Sequence, residues 1–207
     1  MNLANKLTII RIFLVPIMVV VPFLGLKGDV LGIPLTWFCI DLIFIIASIT
    51  DKLDGYIARS RNQITTFGKF LDPIADKILV ISAMIMLVEN SRLPAWVPII
   101  VLFREFIVSG YRLVAVEKGG KVIAASIWGK LKTVTQMLAL VVALVDINPF
   151  GAIFAGNLNT YHFIVNLFVT VMMSISVIAT MVSGFDYIKN GKELLLDKWF
   201  LKINTLL

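Results

Sequence analysis

The chain has one cysteine, Cys39, one histidine, His162, and little charge, with Asp, Glu, Lys and Arg making up 15% of its 207 residues. A single cysteine excludes an intrachain disulfide. An ordinary soluble domain carries about 25% charged residues and is roughly 45–50% apolar. Here the hydrophobic share is 59% and the mean hydropathy +0.94. Those values exclude a disordered chain, a fibrous protein and a soluble globule. Internal repeats and low-complexity stretches are also lacking.

What the chain has instead is long apolar runs, at about residues 9–26, 34–58, 70–89, 94–116, 127–145 and 161–183. A bilayer-spanning helix needs about 20 such residues. The expected fold is therefore an all-α integral membrane protein of six transmembrane helices, with a short N-terminal lead-in. Six spans use roughly 120 residues, so residues 1–207 form one membrane domain with no room for a soluble one. Lys6 and Arg11 near the start resemble a signal-peptide opening, but the run ends Leu24-Gly25-Leu26-Lys27 without a small-x-small cleavage pattern. An uncleaved helix is expected. In the tail, 185–207, Lys189, Lys192, Lys198 and Lys202 punctuate Leu194–Leu196 and Trp199–Leu201, the pattern of an amphipathic helix on an anionic leaflet.

The formal net charge is +6. In so apolar a chain this surplus speaks for topology and anionic lipid rather than nucleic acid. With six spans, of the 19 Lys and Arg residues only Lys27 and Arg92 fall on the side of the first, third and fifth loops. The positive-inside rule then places both termini in the cytoplasm. Trp37, Trp96 and Tyr161 fall near span ends, where aromatic belts are expected.

Ionisable residues inside or beside spans are functional candidates by default. Asp51 and Asp54 close the second run, and Asp72 and Asp76 open the third. At 100° per residue, Asp51, Asp54, Gly55 and Ala58 lie at about 0°, −60°, 40° and −20° on one helical stripe. Gly68, Asp72 and Asp76 share another, at about 0°, 40° and 80°. A short loop makes the two helices antiparallel neighbours whose acidic faces can meet. Four facing carboxylates stay ionised in a low dielectric only with counter-charge, and two divalent cations would balance them. All-oxygen ligands suit Mg²⁺, Mn²⁺ or Ca²⁺. His162 lies toward the opposite membrane face, so zinc is not expected. The small residues leave room for a phosphate-bearing ligand beside the metal. Asp41 has no acidic partner at helical spacing and reads as structural.

The string Asp51-Lys-Leu-Asp54-Gly55-Tyr-Ile-Ala58-Arg59, eight residues, then Gly68-Lys-Phe-Leu-Asp72-Pro-Ile-Ala-Asp76 fits D-x₂-D-G-x₂-A-R-x₈-G-x₃-D-x₃-D. It resembles the signature of the CDP-alcohol phosphotransferases, and chain length and span count extend the resemblance to the whole chain. Asn5-Lys-Leu-Thr8-Ile-Ile-Arg11, Arg104-Glu105, Ser109-Gly110-Tyr-Arg112 and Gly129-Lys130-Leu-Lys132-Thr133 resemble the branch whose acceptor is glycerol 3-phosphate, with Ala4 where a proline is usual.

The resemblance implies transfer of the phosphatidyl group of CDP-diacylglycerol to glycerol 3-phosphate at the cytoplasmic membrane face, with release of CMP. It implies that Asp51, Asp54, Asp72 and Asp76 hold two divalent cations, Mg²⁺ or Mn²⁺, with Asp76 as general base. It further implies that Gly55, Ala58, Arg59 and Gly68, with Thr8 beside them, face the nucleotide, and that the protein is a homodimer. Two metals can clamp a diphosphate and stabilise its leaving phosphate.

The acceptor is an anion and needs cations. Arg104 lies near mid-span, and Arg112 about 12 Å further along the helix. With Ser109, and with Lys130 and Lys132 at the entry of the fifth run, they form a candidate acceptor-phosphate pocket. The alternative is an interhelical Glu105–Arg pair with snorkelling lysines. Two rival functions stand beside the first. One keeps the chemistry and changes the acceptor to phosphatidylglycerol, inositol phosphate or serine. The other is a divalent-cation transporter, which the one-sided placement of the aspartates and the lack of an inverted repeat disfavour.

Overall fold

The computed structural model describes the backbone of residues 3–60, 66–117 and 127–204, and the side chains of 7–51, 71, 73–113 and 127–189. Six helices follow in order among these residues: α1 (Leu3–Val20), α2 (Leu35–Ser60), α3 (Thr66–Glu89), α4 (Trp96–Glu117), α5 (Ile127–Val145) and α6 (Thr160–Asn204). Between α1 and α2 the chain makes a 3₁₀ turn, Val21–Leu24, and a short antiparallel pair, β1 (Asp29–Val30) with β2 (Ile33–Pro34). Gly25, at φ 61°, ends the first element in the left-handed conformation that glycine adopts without steric cost.

The packing is that of a protein in lipid. On α1, Ile10, Phe13, Ile17 and Val20 point outward, while Thr8, Arg11, Val15 and Met18 are buried. Apolar residues face out and polar ones face in, because lipid satisfies the former and only protein can satisfy the latter. Pro16 in α1 and Pro73 in α3 sit inside helices, which is more common in membrane helices than in soluble ones. Hydroxyls fold back on their own helix: Ser48 Oγ donates to the Phe44 carbonyl at 2.7 Å and Thr50 Oγ1 to that of Ala47 at 2.7 Å. Among the described residues, three segments are long and apolar enough to cross a membrane: Leu7–Leu24, Ile127–Val145 and Thr160–Lys189.

The chain divides into two compact units, Met1–Ala95 with Met137–Thr170, and Trp96–Gln136 with Val171–Leu207. In the first unit α1 packs on α2 and α3, and α2 touches α3. The core includes Met18, Ile40, Phe44, Ala47, Ala75, Leu79, Ala83 and Leu87. The alanines let the helices approach closely, as small residues do in membrane interfaces. A polar knot closes this unit after α5. Asp146 Oδ1 accepts from the Asn148 backbone N–H at 3.0 Å and from its side-chain amide at 2.9 Å, and Asp146 Oδ2 accepts from Asn166 Nδ2 at 2.8 Å. Asn166 also donates to the Pro149 carbonyl and accepts from the Ile153 N–H. Arg92 lies over the Trp37 ring at 4.0 Å and donates to the Leu144 carbonyl. Burial lowers the pKa of its guanidinium, and the charge of Asp146 opposes that shift.

The second unit is built from α4, the first part of α5 and the distal part of α6. Its buried face on α6 is a stripe of hydroxyls, Ser176, Thr180, Ser183 and Tyr187, at the four- and three-residue spacing of one helix side. The sequence suggests an amphipathic helix over the tail from residue 185. The structure has one unbroken 45-residue helix from Thr160 to Asn204. At about 1.5 Å per residue it is more than twice as long as a hydrocarbon core of roughly 30 Å. No glycine or proline takes a helix-ending conformation at the expected boundary: Gly184 sits within the helix.

Candidate active site

The acidic motif begins on the face of α2 that α1 covers. Arg11 on α1 is fully buried, and its Nη1 lies 2.7 Å from Asp51 Oδ1. Its Nε donates to the Ala47 carbonyl at 3.3 Å. Ala47 and Asp51 are one turn apart, so the guanidinium lies along one side of α2. The Asp51 side chain remains 36% accessible. The arrangement sets a guanidinium against a carboxylate nine residues before the end of α2 and leaves part of that carboxylate open. Thr8, one turn before Arg11, is also buried and has a polar partner. Asp76 is half-buried on α3 and likewise partnered. Asp54, Gly55, Ala58 and Arg59 fall on the last turns of α2, and Gly68 and Asp72 on the first turns of α3. Their side chains lie outside the described residues.

The basic residues belong to the second unit. Glu105 Oε1 takes two cations at 2.7 Å each, Arg104 Nη1 from its own helix and Lys132 Nζ from α5. Arg104 Nη2 donates to Ser183 Oγ at 2.8 Å, and Arg112 Nη2 to the Tyr187 hydroxyl at 3.2 Å. Lys132 is buried, and its carbonyl accepts from Ser176 Oγ. Arg112 and Ser109 are exposed, and Ser109 has a polar partner. Lys130 is exposed and lies about 200° around α5 from Lys132. The structure thus brings Arg104, Lys132 and Glu105 together, with Arg112 joined to them through α6, and leaves Lys130 outside the cluster. The Glu105–Arg104 pair lies within α4 and the interhelical partner of Glu105 is Lys132, so the carboxylate offsets the cost of placing these cations in lipid.

Three participants escape a reading of the sequence alone. Arg11 reads there as part of a signal-peptide-like opening and of the Asn5–Arg11 segment, Ser183 only closes the last apolar run, and Tyr187 falls in the tail without a role. The signal for the last two was present as the 176, 180, 183, 187 hydroxyl period. Nothing in the sequence names the arginines as their partners.

An acidic motif split over two touching helices, with a buried arginine on its first carboxylate, defines a class. The chain belongs to the CDP-alcohol phosphatidyltransferase family, whose model matches residues 1–182. These are membrane transferases of phospholipid synthesis, generally dependent on divalent metal. The chain is 40% identical over 199 residues to the CDP-diacylglycerol–glycerol-3-phosphate 3-phosphatidyltransferase of Bacillus subtilis, covering 94% of this chain and 97% of that protein. It is 36% identical to the enzyme of that name from Haemophilus influenzae, over 95% of this chain and 96% of the relative. A probable phosphatidylglycerophosphate synthase of Mycobacterium tuberculosis is 37% identical, over 90% and 80% respectively.

Proposed function

We infer that the protein transfers the phosphatidyl group of CDP-diacylglycerol to glycerol 3-phosphate, giving phosphatidylglycerophosphate and CMP. What supports this is the complete acidic motif, with Asp51 on α2 and Asp76 on the adjoining α3, together with relatives of that name matched along nearly their whole length. The protein crosses the cell membrane six times with both termini in the cytoplasm, so that the motif faces the cytoplasm. The asymmetry of Lys and Arg supports this orientation.

The residues fit a hard divalent cation: the donors are carboxylate oxygens, and Asp51, ion-paired with Arg11, stays 36% accessible. Asp51, Asp54, Asp72 and Asp76 would hold two such ions, Mg²⁺ or Mn²⁺, whose bound charge neutralises the diphosphate. Gly55, Ala58, Arg59 and Gly68, with Thr8, bind the cytidine nucleotide. Arg112, with Arg104, Ser109, Lys130 and Lys132, binds the acceptor phosphate. Arg112 is foremost among these, because an exposed guanidinium can take phosphate oxygens bidentately.

In the reaction, a hydroxyl of glycerol 3-phosphate attacks the phosphorus that carries diacylglycerol. The new P–O bond forms as the bond to the CMP phosphate breaks, and the hydroxyl proton passes to the Asp76 carboxylate. Orientation and charge carry most of the acceleration, because a carboxylate is a weak base at neutral pH. The family resemblance also supports a homodimer through membrane helices, which native mass spectrometry in detergent would test.

The deciding experiment is CMP release by purified protein with CDP-diacylglycerol and Mg²⁺ or Mn²⁺. Separate reactions contain glycerol 3-phosphate, phosphatidylglycerol, inositol phosphate or serine. Release with glycerol 3-phosphate alone is expected. Release with another acceptor keeps the aspartate chemistry and removes the pocket assignment. No release from folded, metal-bound protein overturns the reading.

A further inference from the structure

We propose that Tyr187 on α6 is a positioning residue that holds the Arg112 guanidinium for the acceptor phosphate and keeps it apart from Arg104. This rests on the acceptor-pocket reading above and adds to it a residue beyond the segment 1–182 that the family model matches.

Arg104 and Arg112 lie eight residues apart on α4, about 12 Å along its axis. The Tyr187 ring centre is 5.8 Å from the Arg104 guanidinium carbon and 6.0 Å from that of Arg112. The ring is therefore about equally distant from two like charges. Both distances are at the outer reach of cation–π attraction, so the ring acts mainly as a spacer. The hydroxyl acts differently on the two. It accepts from Arg112 Nη2 at 3.2 Å, while Arg104 is taken by Ser183, one turn earlier on α6, and by Glu105. Gly184 lies against the Arg104 stem, where an added Cβ would come 3.4 Å from Cγ. α6 thus presents Ser183, Gly184 and Tyr187 as a cradle for two arginines, each with its own hydroxyl.

Tyr187 is 2% exposed and Arg112 is exposed. A ligand reaches the guanidinium and not the tyrosine, so Tyr187 works through Arg112. One fixed Nη2 turns a long, rotamer-rich side chain into an oriented fork and removes part of the entropy that phosphate binding would otherwise cost.

The test is steady-state kinetics of purified Y187F, R112K, R112A and the Y187F/R112A double variant, with glycerol 3-phosphate and CDP-diacylglycerol varied in turn. Y187F keeps the ring and removes one hydrogen bond. Its acceptor KM should rise about threefold to tenfold, the range one hydrogen bond supplies. kcat, the KM for CDP-diacylglycerol and the unfolding midpoint in detergent should stay near wild type. R112K, which leaves the buried tyrosine in place, should show an acceptor KM raised at least as far. In the R112A background Y187F should add nothing. A normal acceptor KM in Y187F beside a raised one in R112A overturns the proposal and spares the pocket. So does a Y187F effect that multiplies with R112A, or one confined to kcat and stability. A normal acceptor KM in R112A removes the pocket itself, and the proposal with it.

Discussion

Two carboxylates serve polar clusters at opposite ends of this chain's chemistry, Asp146 in the first unit and Glu105 in the second. Asp146 is met by neutral donors, the amides of Asn148 and Asn166 and one backbone N–H, all within its own closing loop and the start of α6. Those partners in turn satisfy Pro149 and Ile153. Every bond points inward, and the result is a knot that fixes a loop. Glu105 is met by two cations, and the neighbouring Arg112 stays exposed with one hydroxyl at its back. The same need, to satisfy a carboxylate away from water, gives a closed structural device in one place and a charged, accessible one in the other. A buried polar group is therefore a weak sign of function on its own. The sign is stronger when a charge that a ligand can reach, here Arg112, stands beside the cluster.

The widest separation between catalytic and structural carboxylates should appear on changing Asp76. D76N should lower kcat by about 10²–10⁴-fold, the range of general-base catalysis, while metal-dependent binding of CDP-diacylglycerol persists. Near-normal turnover would remove its role as base. R112A comes next. Loss of a charge-assisted contact of about 1.5–3 kcal/mol corresponds to roughly a 10- to 100-fold rise in acceptor KM, with the KM for the lipid changed little.

On the structural side, N166A should cost about 1–3 kcal/mol by removing the donor to Asp146 Oδ2 and to the Pro149 carbonyl. That would be read as a lower unfolding midpoint in detergent with kcat per folded molecule intact. A large loss of kcat at normal stability would erase the contrast between the two clusters. K130A should change the acceptor KM least, by under about fivefold, since an exposed lysine outside the cluster contributes at most about 1 kcal/mol. An effect equal to that of R112A would return Lys130 to the pocket.

Much of this was legible beforehand. The apolar runs mark all six helices, and α3 and α5 end where the runs end, at Glu89 and Val145. The acidic motif could be read because its spacing is local: helical periodicity alone puts Asp51 on a stripe with Gly55 and Ala58. Lys130 and Lys132 show the limit. Both enter α5 two residues apart, so they point to different sides, and only Lys132 meets Glu105. The charge pattern changes at residue 185, where the amphipathic tail is expected to begin, and the backbone there is helical as far as Asn204. A change of solvent need not break a backbone, and α6 continues through it.

The sequence by itself determined that this is a helical membrane protein of a known transferase family, because composition fixes the solvent and a motif of fixed spacing fixes the chemistry. Only the tertiary structure decided which polar groups meet. Arg11 finds Asp51 on another helix, Arg104 finds Ser183 79 residues away, and Arg112 finds Tyr187 75 residues away. In lipid a buried polar group must be satisfied by protein. A helix face gives the direction in which its partner lies, and packing alone supplies the partner.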